Sequence, residues 1–483
     1  MSVSLVWMRR NLRLRDNKSL YHAIDSAEKV IIFFIFDENI LKRFSNPKDS
    51  RLSFIADILF NMNNHLNKIG GEVLAFFGNP RDIIPKLCKV FKPKIIFADE
   101  DFEELNILRD QEINRLIEDY CEFKLLYDHL LMRPGTILKK DRTPYKIYSP
   151  FMKEFLKVVS DDLLRTYNSD LRGKIFKIDC SLLTAASLQV IDLKEKNKIL
   201  SQIGYIYNAN ELWPVGAGDE NLNNFVENKV LNYHIDRSFP GKNSTSNLSP
   251  YLRFGLVSVR QCFQKAFDVE NSNGCQKWVS ELIWREFYAC IMYHFPETRT
   301  QEFQIKYRNV ISWNENLEDF RKFTSGMTGY PIIDAAVRQL TQNGWMHNRM
   351  RMIVASFLTK NLLIDWRFGE EFFAQHLMDY ELSTNVGGWQ WASSCGTDPQ
   401  PYFRVFNPFT QGQKFDQLAK YVKEFVPELQ NIEAKKIHNQ KAVESNFNGA
   451  AKYPAPMIDY KISRLRSIEI FREASFSSVL DNN

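Results

Sequence analysis

Short apolar runs alternate with amphipathic segments through the first third of the chain. The segments Arg51–Ile69, Asp82–Phe91 and Glu103–Asp119 repeat their apolar positions at helical spacing. Continuous apolar strands separated by helices are typical of a parallel sheet with helices on both faces. The pattern therefore predicts a doubly wound α/β domain over residues 1–131. The predicted strands are Leu5–Trp7, Val30–Phe36, Val73–Phe77, Lys94–Ala98 and Phe123–Tyr127.

The pattern changes after residue 131. Pro134, Pro144 and Pro150 interrupt it, and residues 132–205 are predicted to be a connector with some local helix. Residues 206–483 show helical periodicity without strand alternation, which predicts a larger all-helical domain. Its clearest periodic segments are Gln276–Tyr293, Ile332–Asn343, Arg349–Leu363 and Phe415–Phe425.

Composition narrows the class of protein. The formal net charge is +5 and the pI is about 8.6, which is compatible with nucleic-acid binding but does not indicate it. The seven cysteines include no C-x-x-C pair, so we expect reduced thiols and no metal site. No apolar run reaches membrane-spanning length, and the first residues lack the apolar core of a signal peptide. We therefore expect a soluble, cytoplasmic protein that binds no membrane.

A hydroxyl-rich segment, Ser244–Ser249, precedes Pro250 and a short helical pattern. Hydroxyls and backbone N–H groups at the start of a helix suit a phosphate group. Serine, threonine and asparagine are also preferred helix caps, so a capping role is the alternative.

Helical spacing places Glu281, Trp284, Arg285 and Tyr288 on one face of a predicted helix, apart from its apolar stripe. A carboxylate, a guanidinium and an indole on one face can hold a flat polar ligand or an extruded base. The alternative is a surface helix with an ion pair between positions i and i+4.

Two further segments combine polar and large side chains. Asn348, Arg351 and Met352 share a helical face that could contact an amide-like edge and a phosphate, or could be methionine packing beside surface arginines. The second segment must bend, and its Gly387-Gly388 pair permits close approach of the backbone to a ligand, which favours a ligand site. The acids, amide and tryptophans of this segment are Asp379, Glu381, Asn385, Trp389 and Trp391.

Six motifs in this order make the chain resemble the photolyase/cryptochrome family, most closely the microbial, class I type photolyases of cyclobutane pyrimidine dimers. The resemblance extends over almost the whole chain and begins at Trp7–Asn17. It implies an α/β antenna domain followed by an all-helical domain that binds FAD. The motifs are ELIWREFY (281–288), GYPIIDAAVRQL (329–340), GWMHNRMRM (344–352), DWRFGE (365–370), NVGGWQWASSCGTD (385–398) and PYFRVFNP (401–408).

The resemblance implies roles for the residues that match these motifs. Glu281 would contact the dimer, and Asn385 would lie near the flavin. Trp313, Trp366 and Trp389 would carry electrons between the flavin and the surface. The implied FAD-binding residues are Tyr233, Thr245, Ser246, Leu248, Ser249, Arg285, Arg351, Asp379, Glu381 and Asn385.

The implied reaction is light-driven. A pyrimidine dimer flips out of the DNA, and excited reduced FAD gives it the electron that opens the cyclobutane ring. Aromatic side chains would stack on the flipped bases and basic side chains would hold the flanking phosphates. The implied DNA-binding residues are Arg237, Glu281, Trp284, Asn348, Arg349, Met352 and Trp391.

Some positions depart from the family pattern. Glu381 stands where an aspartate is usual, and Asn247 stands where a basic residue is common. The helix of the folate-type antenna usually carries an Asn-Glu pair, but this chain has Glu103–Asn106, and a lysine is absent near Thr300. A second chromophore of folate or deazaflavin type is therefore only weakly indicated.

Two related functions compete with dimer repair. A cryptochrome would be a flavin photoreceptor without repair activity, but the Trp284/Trp391 pair, Asn385 and the lack of an extension after Leu480 favour repair. A six-four photolyase usually carries histidine where Asn348 stands. We therefore expect a monomeric enzyme that repairs cyclobutane pyrimidine dimers in DNA.

Overall fold

A five-stranded parallel sheet organises the first part of the chain. Its strands are β1 Val3–Met8, β2 Lys29–Asp37, β3 Val73–Gly78, β4 Ile95–Asp99 and β5 Glu122–Leu126. The computed structural model describes residues 2–209, 211–269, 272–449 and 452–480. The strand order is β3-β2-β1-β4-β5, and central β1 pairs with β2 and β4, so that Val6 lies opposite both Ile32 and Phe97. This is the order of a doubly wound fold, as the sequence predicted.

The burial of the strands explains why they form a sheet of this kind. Every residue of β1 is buried, and β2 is buried from Val30 to Asp37. Strands that are apolar on both sides need cover on both faces, which the crossover helices of a parallel sheet supply. Strand β5 lies at the edge and is only partly buried.

Helices connect the strands where the sequence predicted them, and the prediction missed two short ones. Helix α1 (Lys18–Ser26) follows Asn17, whose side chain accepts a hydrogen bond from the backbone N–H of Leu20 (3.0 Å). It is short, and its buried residues are Ser19, Leu20 and Ala23. The helices after α1 in this part of the chain are α2 Glu38–Leu41, α3 Ser50–Asn67, α4 Pro80–Phe91 and α5 Glu104–Ile117.

The rest of the described chain is mostly helical, as predicted. Within it, none of the helices is long and apolar enough to cross a membrane. A π-helical turn lies at Phe357–Asn361. The α-helices are α6 Tyr148–Val158, α7 Asp161–Leu164, α8 Cys180–Ala185, α9 Lys196–Ile199, α10 Ala217–Asn228, α11 Tyr233–Asp236, α12 Ser249–Arg253, α13 Val259–Phe267, α14 Asn273–His294, α15 Leu317–Thr324, α16 Pro331–Asn343, α17 Asn348–Ser356, α18 Trp366–His376, α19 Leu382–Ala392, α20 Pro408–Phe415, α21 Lys420–Phe425, α22 Ala434–Ile437, α23 Gln440–Glu444 and α24 Tyr460–Leu480. The 3-10 segments are Leu200–Ile203, Val230–Asn232, Pro296–Arg299, Ile305–Tyr307, Pro427–Leu429 and Asn446–Gly449.

One predicted helix is wrong. The periodic segment Phe415–Phe425 is the end of α20 followed by α21. Asp416 interrupts it, because its carboxylate accepts hydrogen bonds from the backbone N–H groups of Tyr421 and Val422 (3.1 and 3.0 Å). The periodicity did not reveal this turn, because aspartate is acceptable on the polar face of a continuous helix.

The chain forms two compact units that interleave along the sequence. Unit 1 contains the sheet and comprises Met1–Thr136, Phe155–Asn228 and Ser246–Asn271. The domain boundaries predicted at residues 131 and 205 divide the chain into consecutive segments, and they remain a prediction. Unit 2 comprises Ile137–Glu154, Lys229–Thr245 and Ser272–Asn483.

Candidate active site

Helix α14 of unit 2 carries the first group of candidate residues. It follows Ser272, whose hydroxyl accepts a hydrogen bond from the backbone N–H of Cys275 (3.2 Å). Leu282, Ile283 and Phe287 are buried in the apolar stripe, while the predicted polar face is only partly buried. The residues of that partly buried face are Glu281, Trp284, Arg285 and Tyr288.

Glu281 is held by two cations. Its carboxylate pairs with the guanidinium of Arg237, which follows α11, and with the ammonium of Lys277 (3.1 Å). Burial alone favours the neutral acid, but Arg237 and Lys277 outweigh burial and hold the pKa of Glu281 below its ordinary value. Glu281 is therefore a carboxylate at neutral pH, which accepts hydrogen bonds and cannot donate them.

Trp284 is stacked against a residue that the sequence analysis missed. The rings of Tyr148 and Trp284 are parallel within 6°, with their centroids 3.7 Å apart. The Tyr148 hydroxyl donates a hydrogen bond to the backbone oxygen of Ser280 (2.6 Å), one turn before Trp284. Such a pair contributes about 0.5–1.5 kcal/mol beyond burial. Tyr148 comes from α6, too distant along the chain for any helical spacing to reveal it.

Two arginine–carboxylate pairs hold the beginning of α19. Arg285 on α14 donates from Nε and Nη2 to the two oxygens of Glu381 (2.8 and 3.1 Å). Arg351 on α17 donates from Nη2 to both oxygens of Asp379 (3.0 and 2.8 Å). The structure thus brings together four residues that the sequence assigned to one cofactor site. Both oxygens of Glu381 reach the guanidinium, so its extra methylene does not prevent a two-point pair.

Asn385 lies on α19 and is buried. Its Nδ2 donates hydrogen bonds to the backbone oxygen and to Oε1 of Glu370 (3.0 and 2.9 Å), and Tyr380 also donates to Oε1 (3.1 Å). Burial raises the pKa of Glu370, and these two hydrogen bonds oppose the rise. Glu370 therefore fixes the orientation of the Asn385 amide. Glu370 belongs to the DWRFGE motif, but the motif by itself implies no role for it.

The turn in this segment lies at Asp379, before α19, and Gly387-Gly388 take no part in it. Both glycines lie inside α19, which is continuous from Leu382 to Ala392. A Cβ on Gly387 would lie 2.2 Å from the ring of Tyr288, so this glycine allows α14 and α19 to pack closely. A Cβ on Gly388 would meet nothing within 4 Å, so open space adjoins the helix there.

Helix α17 concentrates positive charge at its N-terminus. His347 caps the helix, since its Nδ1 accepts a hydrogen bond from the backbone N–H of Arg349 (3.1 Å). Burial, with Arg349, Arg237 and Arg351 nearby, lowers the pKa of His347 to about 3. Arg349 donates to the hydroxyl of Ser238 (3.1 Å).

The other two predicted residues of α17 differ in exposure. Asn348 is exposed, whereas Met352 is partly buried. Both can meet a ligand that approaches this helix, and neither is part of the core.

The predicted electron-transfer tryptophans differ in burial. Trp389 is buried, packs edge-to-face on Phe373 (4.9 Å between centroids), and has no hydrogen-bond partner for its Nε1 among the described residues. Trp366 is fully buried and donates from Nε1 to Glu302 (3.2 Å). Trp313 is only partly buried, as is the predicted pocket residue Trp391.

The remaining residues predicted to bind FAD fall in both compact units. Tyr233 is buried on α11 and Thr245 is partly buried, both in unit 2. In unit 1, Ser246 is partly buried, Leu248 is buried, and Ser249 is exposed at the start of α12. Their common role remains a prediction.

Comparison with known proteins defines the class first. Residues 278–473 match a family described as the FAD binding domain of DNA photolyase, and residues 4–167 match one described as DNA photolyase. The deoxyribodipyrimidine photo-lyase of Alkalihalophilus pseudofirmus is 33% identical over 489 residues, covering 98% of both chains. The chain belongs to the DNA photolyase family.

Solved structures agree with this assignment. A class III photolyase from Agrobacterium tumefaciens has a TM-score of 0.86 and 29% identity over 98% of both chains. An archaeal photolyase from Sulfolobus tokodaii, solved with two FAD molecules, has a TM-score of 0.81 and 30% identity, and the match covers 98% of this chain and all of that one. FAD is accordingly the cofactor of the helical part, as predicted. That the chain is a photolyase of class I stays a prediction.

The charge of Glu281 generates a prediction about stability. Arg237 and Lys277 lower the pKa of Glu281 in the folded protein below its ordinary value of 4.5. Ionised Glu281 therefore stabilises the fold fully at pH values above 4.5, and this contribution is lost as the pH falls through the lowered pKa. We expect Glu281→Gln to be less stable than the native protein at pH 7 and equally stable at low pH. Urea unfolding at a series of pH values measures the difference.

Glu318→Gln is the matched control. Glu318 also pairs with an arginine, Arg321, but at 3.8 Å and with both side chains exposed, so that solvent screens the interaction. It should change stability little at any pH. A Glu281→Gln difference that persists unchanged at low pH would show that shape, and not charge, makes Glu281 stabilising.

Proposed function

We propose that this chain uses light to split cyclobutane pyrimidine dimers in DNA, with the dimer bound beside α14. The observation that carries the proposal is the partly buried Trp284 one turn from the ionised Glu281. An aromatic face for stacking lies there next to an acceptor for base N–H groups. The names of the full-length relatives support the same substrate.

The residues of unit 2 fit an FAD site by their chemistry. Arg285, Glu381, Arg351 and Asp379 supply charged groups that are already fixed in pairs. Glu370 accepts the hydrogen bond of the Asn385 Nδ2, so the Asn385 Oδ1 is the atom left to accept a hydrogen bond from a flavin N–H group. When bound, reduced and excited by light, FAD supplies the electron that opens the ring.

The residues around α14 would bind and orient the dimer. Trp284 and Trp391 would stack on the flipped bases, and Asn348 and Met352 would contact their edges. Glu281 would accept hydrogen bonds from base N–H groups. Because Glu281 is already paired with Arg237, a dimer that binds the carboxylate would loosen Arg237.

Arg237 and Arg349 would contact the phosphates on either side of the dimer. A loosened Arg237 would reach these phosphates more easily. The buried, neutral His347 between the arginines holds the start of α17 without adding a further charge.

A second chromophore is weakly supported. In the segment where a folate-type antenna would bind, Asn106 donates to Asp101 (2.9 Å) and Glu103 pairs with Arg10. These polar groups are already satisfied by the protein.

We further propose that the enzyme acts as a cytoplasmic monomer of the class I type.

The direct test is repair of an oligonucleotide that contains one cyclobutane thymine dimer. FAD-loaded, reduced protein should restore the two thymines under blue light and leave them unrepaired in the dark. A six-four photoproduct in the same sequence should stay unrepaired. Loaded protein that undergoes flavin photochemistry but restores neither lesion would support the photoreceptor alternative instead.

Trp284 should contribute directly to recognition of the dimer. Base–aromatic stacking is worth about 1–3 kcal/mol, so Trp284→Ala should weaken binding of dimer-containing DNA about 5- to 150-fold. Binding of undamaged DNA should change little, since it depends on phosphates. Fluorescence anisotropy with matched damaged and undamaged duplexes measures both.

Trp278→Phe is the control on the same helix, because Trp278 is buried. It should lower stability without changing the preference for damaged DNA. If Trp284→Ala keeps the native preference while Trp278→Phe loses it, the pocket assignment is wrong.

The three tryptophans should carry electrons during flavin reduction. Single changes of Trp389, Trp366 or Trp313 to Phe should slow the reduction of bound flavin under blue light in the presence of a thiol. Absorbance spectra recorded during illumination measure the rate. Trp213→Phe, in unit 1, should leave the rate unchanged. If flavin is reduced at the native rate in all three variants, these tryptophans are packing residues and do not carry electrons.

A further inference from the structure

The sulfur atoms of Cys88 and Cys121 are 3.7 Å apart in unit 1. Cys88 is buried on α4, and Cys121 is partly buried immediately before β5. The two residues are 33 positions apart in the chain, so the fold, and not local sequence, brings them together. Neither belongs to the candidate active site.

We propose that Cys88 and Cys121 are a redox-sensitive pair that a peroxide converts into a reversible disulfide. A disulfide requires sulfur atoms about 2.05 Å apart, so they must approach by roughly 1.7 Å. Cys121 can supply that movement because it lies in the turn between α5 and the edge strand β5, beside the exposed Tyr120. Cys88 is fixed in the core of the unit.

The two cysteines differ in the way that such chemistry requires. The two thiols share a hydrogen bond that either sulfur can donate, and this bond lowers the pKa of Cys121 against the effect of burial. The same hydrogen bond, together with burial, raises the pKa of Cys88. Cys121 is the less buried of the two residues, so peroxide reaches it first, and Cys88 is the neighbouring thiol that resolves its sulfenic acid.

The reaction with hydrogen peroxide balances in two steps. The Cys121 thiolate attacks one peroxide oxygen, which forms its sulfenic acid and releases hydroxide, and a solvent proton converts the hydroxide to water. The Cys88 sulfur then attacks the Cys121 sulfur, which forms the S–S bond and expels the sulfenic oxygen as a second water with the Cys88 proton. Two thiols are oxidised by two electrons and one peroxide is reduced.

The test uses the full-length, FAD-loaded protein after reduction with dithiothreitol and removal of the reductant. Hydrogen peroxide is added in steps, and the remaining thiols are then alkylated under denaturing conditions. Peptide mass spectrometry should find the peptides of Cys88 and Cys121 joined, with the loss of two hydrogen atoms. Renewed dithiothreitol should release both peptides as free thiols.

Cys180→Ser is the matched control, because Cys180 is an exposed cysteine with no sulfur partner in the described chain. It should leave the cross-link intact, whereas Cys88→Ser should stop Cys121 at the sulfenic acid, which dimedone traps. The oxidised native protein should also unfold at a higher temperature, since the bond closes a 33-residue loop.

Two results would overturn the proposal. One is that Cys121 proceeds to sulfinic acid while Cys88 remains fully alkylatable. The other is that both thiols stay reduced at peroxide concentrations that oxidise Cys180. The native-protein measurement decides the question even if a serine variant folds poorly.

Discussion

The pairing of two arginines with two carboxylates determines where the candidate site can form. Arg285 and Arg351 come from α14 and α17, and their partners Glu381 and Asp379 lie at and just before the start of α19. Both carboxylates are buried, so removing either arginine would leave a buried charge without compensation. These pairs therefore fix the first turn of α19, the helix that carries Asn385.

The same region carries more positive than negative charge. Arg237, Arg349 and Arg351 all act on His347, which is held neutral at the start of α17. Glu281 is the carboxylate that pairs with Arg237. The balance suits a surface that binds phosphates, since a group of arginines attracts the nucleic-acid backbone while one carboxylate remains to contact bases.

Close packing supports these charges. Gly387 lets Tyr288 lie against α19, and Tyr148 stacks on one face of the Trp284 ring while its hydroxyl donates a hydrogen bond to Ser280. The side chains proposed to contact the dimer are thus held by neighbours from distant parts of unit 2. Such support matters because stacking and hydrogen bonding depend on positions accurate to a fraction of an ångström.

The sequence by itself determined the sheet, the helical remainder, the face of α14 and the family, because each depends on local periodicity or on motifs of neighbouring residues. It failed where one side chain changed the local outcome, as at Asp416. The tertiary structure alone decided that Arg237 pairs with Glu281, that Glu370 orients Asn385, that Tyr148 stacks on Trp284, and that Cys88 meets Cys121. These contacts join residues from separate parts of the chain, and a spacing rule carries no information about which distant elements will pack together.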